Sequence, residues 1–279
     1  MAAESGALVL DEAARSLRSA GRIVLCQIVR TEGSTPGKVG WKLLAKADGS
    51  FTGNLGGGAF EAMVKADAQQ LLAGGAEAAP VPALKRYYLT EKAVRGEPTG
   101  MVCGGMAEVF LEVVTAAPVL AICGGGPVGQ ALAKAAGLAG FEPLVADDRE
   151  AFRRPELFPA GTRLEAVDRD YTQCFLHGVG ERDLFVTVVS RCWETDTAAL
   201  ASVLRQAPAR MRYLGLMGSL RKVARVRGEL DRRGVDLGRV RLHAPIGLRL
   251  GGDSPGEIAI AILAEVIGIR YETAQTPQP

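Results

Sequence analysis

Apolar positions change their period along the chain, and the changes predict its elements. Leu8–Ala20 repeats apolar residues at helical spacing, and Arg22–Arg30 is an Ile/Val/Leu-rich run that predicts a strand. Trp41–Ala47 and Gly49–Asn54 flank Asp48-Gly49, a frequent turn pair, and predict a hairpin. From Gly58 to Leu72, the residues Phe60, Met63, Val64, Ala68, Leu71 and Leu72 return to helical spacing, and Gly74-Gly75 ends the run. Two more strands are expected near Leu84–Leu89 and Ala107–Val114.

Past Ala116-Ala117-Pro118 the pattern becomes a strict alternation of short apolar strands and amphipathic helices. Strands are expected at Val119–Cys123, Phe141–Ala146, Arg163–Val167, Leu184–Val189 and Tyr213–Met217, with a short one before His243. Between them lie helices at Pro127–Leu138, Thr195–Gln206 (capped by Thr195) and Ser219–Arg233. The last helix is the best marked, with Ser254 as its cap, Pro255 in its first turn and Glu257 completing a capping box. Its apolar face is Ile258, Ile262, Leu263, Val266 and Ile269. This alternation is the mark of a parallel sheet covered on both faces. The fold class is therefore α/β: an α+β domain over residues 1–116, then a Rossmann-like domain over residues 117–279.

Composition narrows the function classes. Apolar residues are 48% and charged residues 23% of the 279, which suits globular domains and not a disordered chain. A net charge of +2 leaves no electrostatic footprint for nucleic acid. Five cysteines without a C-x-x-C pair provide neither a disulfide scaffold nor a zinc ribbon, and two histidines cannot build a multi-histidine metal site. The first fourteen residues carry acids and no base, unlike a secretory signal, and no long apolar run predicts a membrane span. A soluble cytoplasmic protein with reduced thiols is expected. Glycine is in surplus: 35 residues, against roughly 20 at average usage.

Much of that surplus falls in clusters that carry candidate chemistry. Gly124-Gly125-Gly126-Pro127-Val128-Gly129 fits G-x-G-x-x-G and joins a strand to a helix. Gly124 would permit the turn, Gly126 the close approach of a pyrophosphate, and Gly129 the packing of the helix. Asp147 closes the next strand, where a carboxylate can bond a ribose hydroxyl; Asp148 is an alternative, and Arg149 would favour a 2′-phosphate. A second anion site is expected at Gly215–Ser219, where Arg221 and Lys222 oppose the dipole of the following helix. The competing reading is a solvated basic face continued by Arg225, Arg227, Arg232 and Arg233. His243, in His243-Ala244-Pro245-Ile246-Gly247, is either a base or donor to ligand or a structural residue, while His177 is read as structural. Gly56-Gly57-Gly58 with Glu61, and Gly104-Gly105 after Cys103, mark backbone close to something. Cys103 is a candidate soft ligand or sulfur relay, or else a small buried hydrophobe. Cys26, Cys123, Cys174 and Cys192 are read as core. Tyr88 and Lys92 match a reductase Y-x-x-x-K but precede the glycine loop they should follow, and Gly33–Val39 lacks the hydroxyl residue that completes a P-loop.

These blocks, in this order, resemble the XdhC/CoxI family, accessory proteins of molybdenum hydroxylases such as xanthine dehydrogenase and carbon monoxide dehydrogenase. The resemblance rests on Thr31–Gly37, on Gly53–Gly58 with Glu61, on Val102–Gly105 with Glu108, on Gly124–Gly129, on Tyr213–Ser219 with Arg221-Lys222-Val223, on His243–Leu248 and on Ser254–Ala259. It covers nearly the whole chain. The chain differs from many members in carrying Ala59, and not Cys, after its triple glycine, and Ser190-Arg191 where Thr-His is common. The resemblance implies a cofactor chaperone rather than a turnover enzyme. Such a protein binds the molybdenum cofactor (molybdopterin) transiently, assists its sulfuration and delivers it to an apo molybdenum hydroxylase. Its expected partners are that client, a cysteine-desulfurase-type sulfur donor and a second copy in a homodimer, with no nucleic acid and no membrane.

On this reading Cys103 and His243 act on the ligand. Gly56, Gly57, Gly58, Glu61, Gly124, Gly126, Gly129, Asp147, Arg221 and Lys222 bind it, and no metal is resident. Two rivals rest on the same glycine fingerprint: an NAD(P)-dependent oxidoreductase, and a non-catalytic nucleotide-binding regulator.

Overall fold

The computed structural model describes residues 6–74, 82–89, 97–98, 104–206, 210–237 and 240–271, and the statements that follow concern these. The chain forms two compact units, Met1–Ala116 and Ala117–Pro279.

The first unit is a sheet between two helices. Its elements are α1 (Gly6–Ala20), β1 (Arg22–Glu32), β2 (Lys42–Lys46), β3 (Phe51–Gly53), α2 (Gly58–Ala73), β4 (Ala83–Tyr88), β5 (Glu97–Pro98) and β6 (Met106–Thr115). The strands lie in the order β3-β2-β1-β6-β4-β5, antiparallel except for the β4–β5 pair. Alternation along β1 assigns its side chains to two layers. Ile23 and Leu25 meet Val9 and Ala13 of α1, whereas Val24, Cys26 and Ile28 meet Phe60, Val64 and Ala68 of α2.

The second unit is doubly wound, with β7 (Val119–Cys123), α3 (Pro127–Leu138), β8 (Glu142–Asp147), β9 (Arg163–Ala166), β10 (Leu184–Val188), α4 (Trp193–Gln206), β11 (Met211–Leu216), α5 (Leu220–Arg232), β12 (Leu242–His243) and α6 (Pro255–Tyr271). All its strand pairs are parallel, in the order β12-β11-β10-β7-β8-β9. Numbered from β7, this is 6-5-4-1-2-3, the strand order of the dinucleotide-binding fold. Strands buried on both faces read as near-continuous apolar runs, and every residue of β7 and β10 is buried, the one polar side chain, Thr187, donating to the Ala121 carbonyl at 3.3 Å. Val119, Ala121 and Cys123 face α4 and α5, while Leu120 and Ile122 face α3 and α6. The α/β class with a C-terminal parallel Rossmann sheet is thus as expected.

Two details depart from expectation. Thr195 does not cap α4, because the helix begins at Trp193 and buries Thr195 in its first turn, its hydroxyl 3.2 Å from the Cys192 sulfur. Cys174 is not core but exposed, and Cys192 is half-buried. Cys26 and Cys123 are buried as expected, and burial pushes the Cys26 thiol up to about 12.

The capping box of α6 is present in full. Ser254 Oγ accepts from the Glu257 N–H at 3.3 Å, and Glu257 Oε2 accepts from the Ser254 N–H at 3.1 Å. Ser254→Ala should therefore cost about 1 kcal/mol of stability, read as a lower urea midpoint at unchanged slope.

Candidate functional site

Among the described residues, candidate chemistry gathers in the second unit at the carboxyl ends of the parallel strands, where open α/β sheets bind ligands. The chain leaves β7 through Gly124, whose φ of +123° is a conformation that L side chains rarely adopt. A Cβ on Gly125 would lie 2.3 Å from the Phe152 carbonyl oxygen, and one on Gly129 only 1.9 Å from that of Gly124. These two glycines press the loop and the start of α3 together. Gly126 is different: a Cβ there would meet nothing within 4 Å. It stands at the N-terminus of α3, followed by Pro127, where the N–H groups of the first turn have no intrahelical acceptor. The fingerprint therefore divides into glycines that shape the loop and one that leaves its outer face open.

Asp147 is buried and tied to the protein. Its oxygens accept from the Gly125 N–H at 2.7 Å, the Arg149 N–H at 2.9 Å, and Arg149 Nε and Nη2 at 3.0 and 2.9 Å. Four donors fill a carboxylate's acceptor positions, so Asp147 braces the glycine loop. Arg149 in turn stacks on Phe152, 3.8 Å from the ring centroid. Asp148 receives both Nη atoms of Arg191 at 2.7 Å, and this fork holds its carboxyl below the usual carboxylate range. Arg191 follows β10 and Asp148 follows β8, so the pair reaches across the exit of β7 that lies between those strands.

Arg221 and Lys222 do not act together. Arg221 is exposed. Lys222 turns inward to form an ion pair with Asp196 of α4, which is fully buried, and donates to the Met217 carbonyl at 3.1 Å. Ser190 Oγ donates to the other oxygen of Asp196 at 2.6 Å. Gly218 leaves room for the Lys222 stem, and Gly215 for Ile246. A cation in the first turn of α5 is thus explained by a buried acid on the neighbouring helix.

His243 ends β12 beside Gly215 of β11. Its Nδ1 lies 3.1 Å from Glu265 Oε1, and its ring is 4.7 Å from that of Tyr213. Glu265 Oε2 accepts from Tyr213 Oη at 2.5 Å and from the Gly247 N–H at 2.7 Å. Burial alone would raise the Glu265 carboxyl, but the bonds from Tyr213, Gly247 and His243 outweigh it and hold the group below the ordinary carboxylate range. Neither Glu265 nor Tyr213 was expected from the sequence. The available signal was one carboxylate in the otherwise apolar run 258–269.

In the first unit the glycines mostly serve loop-on-loop packing. A Cβ on Gly37 would lie 2.1 Å from the Leu55 carbonyl oxygen, one on Gly56 2.6 Å from the Gly37 nitrogen, and one on Gly105 2.2 Å from the Ser34 carbonyl oxygen. Gly57, with φ of +77°, is the N-cap of α2 and faces open space. Gly58, the first residue of α2, has φ of +66°. Glu61 secures this turn by accepting from the Leu55 and Gly57 N–H groups at 3.0 and 3.1 Å and pairing with Lys65 at 2.7 Å. Cys103 lies outside the described residues. No group of three or more potential metal ligands occurs among the described residues, and no helix there is long and apolar enough to cross a membrane.

Comparison with known proteins gives matches on both units. Residues 120–266 match the XdhC Rossmann domain, and residues 16–87 match the XdhC and CoxI family. The chain is 34% identical over 268 residues to the uncharacterized protein YqeB of Escherichia coli (strain K12), covering 94% of this chain and 46% of that one. It is 26% identical over 171 residues to a probable xanthine dehydrogenase subunit from Bacillus subtilis (strain 168), covering 60% of this chain and 47% of that one. The chain thus spans about half the length of these curated relatives. A crystal structure of a xanthine dehydrogenase from Bacillus halodurans aligns over 99% of this chain and 98% of its own, with a TM-score of 0.49 and 21% identity.

Proposed function

Because the chain belongs to the XdhC and CoxI family, we propose that it is an accessory factor of a xanthine dehydrogenase-type molybdenum hydroxylase, binding the molybdenum cofactor and passing it to the apoenzyme. The Bacillus subtilis relative, whose name is that of a probable xanthine dehydrogenase component, supports the choice of client class. The observation that carries the binding role is Gly126: open backbone at a helix N-terminus, at the carboxyl edge of a parallel sheet, suits a phosphate group. The phosphate-bearing part of the cofactor would sit there, with Gly124 and Gly129 fixing the loop and Asp147 bracing it from behind. Bound there, the group would supply a molybdenum–sulfur centre to the client. The chain's own task would be to hold the anion. Sulfuration is proposed to use the Cys103 thiol, with a cysteine-desulfurase-type protein as donor.

The test is anaerobic retention. The purified protein, mixed with cofactor released from a molybdenum hydroxylase, should carry pterin fluorescence and molybdenum together through gel filtration. Loss of both signals on the column would overturn the reading. A second reading, nucleotide binding for regulation, is favoured by the dinucleotide-fold strand order. It would replace the first if NAD were retained and the pterin were not.

A further inference from the structure

We propose that His243, Glu265 and Tyr213 form a proton-transfer site, in which Nε2 of His243 takes a proton from the far end of a ligand whose phosphate rests on Gly124–Gly129. This deepens the phosphate-binding reading above and depends on it for the ligand's anchor, not for the histidine's chemistry. The Glu265 carboxyl is held below its ordinary range and its Oε2 already accepts from the Tyr213 O–H and the Gly247 N–H, so it is ionised and has no proton to give. The short contact from His243 must then be Nδ1–H donating to Oε1, which fixes the tautomer of the neutral ring and leaves the Nε2 lone pair free. Among the described residues Nε2 has no hydrogen-bond partner, although the side chain is only 12% exposed. Tyr213 packs on the ring and, with the Gly247 N–H, bonds Oε2 of the same carboxylate, so the group whose Oε1 orients the ring is itself held. Glu265 and Tyr213 are positioning residues; His243 is the group that touches ligand.

Placement supplies the substrate class. Gly124 leaves β7 and His243 ends β12, three strands away in the order β12-β11-β10-β7. At about 4.8 Å per strand, that is roughly 14 Å. The fold has two mononucleotide-binding halves, and β7 to β9 form one while β10 to β12 form the other. A ligand of dinucleotide length with its pyrophosphate on the glycine loop would carry its second ring system over β10 to β12, towards His243. The ligand class is a phosphorylated or dinucleotide heterocycle with an acidic N–H or O–H at that end. In the step, an N–H bond forms at Nε2 and the ligand's N–H or O–H bond breaks. The electron pair stays on the ligand heteroatom, and the imidazolium is balanced by Glu265. No other reactant is needed.

With only two histidines in the chain, the ring nitrogens can be read directly in two-bond ¹H–¹⁵N spectra. The neutral His243 ring should show the Nδ1–H form, opposite to the preference of free histidine. An Nε2–H ring in the unmodified protein would overturn the proposal. Glu265→Gln gives a second, sharper readout. Gly247 N–H and Tyr213 O–H both donate to Oε2, so the glutamine oxygen should take that side and its NH₂ should face Nδ1. The tautomer should then flip to Nε2–H, whereas Tyr213→Phe should leave it unchanged. Titration with AMP and with NAD⁺ separates the two readings. Amide shifts in the glycine loop with either probe support the anchor, and a shift of the His243 nitrogens with NAD⁺ but not AMP supports the span. Loop shifts with both probes and no response of His243 to either would refute the span while sparing the anchor. No loop shift at all would remove the anchor and leave the tautomer result standing.

Discussion

Lys222→Met should lower the unfolding free energy of this protein by about 3–5 kcal/mol, the cost of stranding one partner of a buried ion pair. Asp196 is fully buried in α4, while the Lys222 side chain is 22% exposed in α5. Removing the ammonium leaves the carboxylate with the Ser190 hydroxyl as its remaining side-chain donor. The methionine stem still fills the space beside Gly218, so the loss is electrostatic and not a cavity. Burial already pushes the Asp196 carboxyl above its ordinary value of 3.8, against the opposing pull of Lys222 and Ser190. A raised folded-state value means that the folded state holds this proton where the unfolded state has lost it. Stability attached to this group therefore falls as pH rises from the ordinary value through the raised one. The methionine variant should accordingly lose most at neutral pH and recover part of the deficit in acid. Urea unfolding at the two pH values measures both effects. A neutral-pH loss below about 1 kcal/mol would show that the pair is not a buried one. Asp196→Leu combined with Lys222→Met should be less destabilised than Lys222→Met alone, since no charge is then left unpaired.

That pair also shows where sequence reading succeeds and where it stops. Local signals translate directly: β7 and α3 lie at the residues that the apolar run and Pro127 indicate, and Ser254, Pro255 and Glu257 cap α6 because a capping box involves only neighbours in sequence. Lys222 is different. Its place in the first turn of α5 suggests a waiting anion, but the anion is Asp196, on another helix and 26 residues earlier. His243 and Glu265 are likewise 22 residues apart and meet only because α6 packs back on the sheet beside β11 and β12. The reading of clustered glycines as ligand-facing backbone divides for the same reason. Gly56 and Gly105 answer to other loops, which composition cannot indicate, while Gly57 and Gly126 face open space. Fingerprint spacing also assigns no role to Gly125, yet the Phe152 carbonyl leaves it no room for a side chain.

Gly129→Ala and Gly126→Ala should separate the shape of the loop from its use. In Gly129→Ala the added methyl would lie 1.9 Å from the Gly124 carbonyl oxygen, a backbone atom that cannot rotate away. Either the turn after β7 opens or the start of α3 shifts, with a loss of about 1–3 kcal/mol or more. Asp147 would share in the damage, because its bond to the Gly125 N–H holds the same turn. Gly126→Ala has no such conflict: φ of −67° and ψ of −174° are open to any residue, and the methyl meets nothing within 4 Å. Its stability should stay within about 0.5 kcal/mol of the parent. At the proposed phosphate site the same methyl would stand between the ligand and the backbone. Affinity for a pyrophosphate-bearing ligand should therefore fall at least about tenfold, or about 1.4 kcal/mol, by titration calorimetry. Unchanged binding in a fully folded Gly126→Ala protein would place the ligand elsewhere, because no remaining feature of the loop depends on that glycine's lacking a side chain.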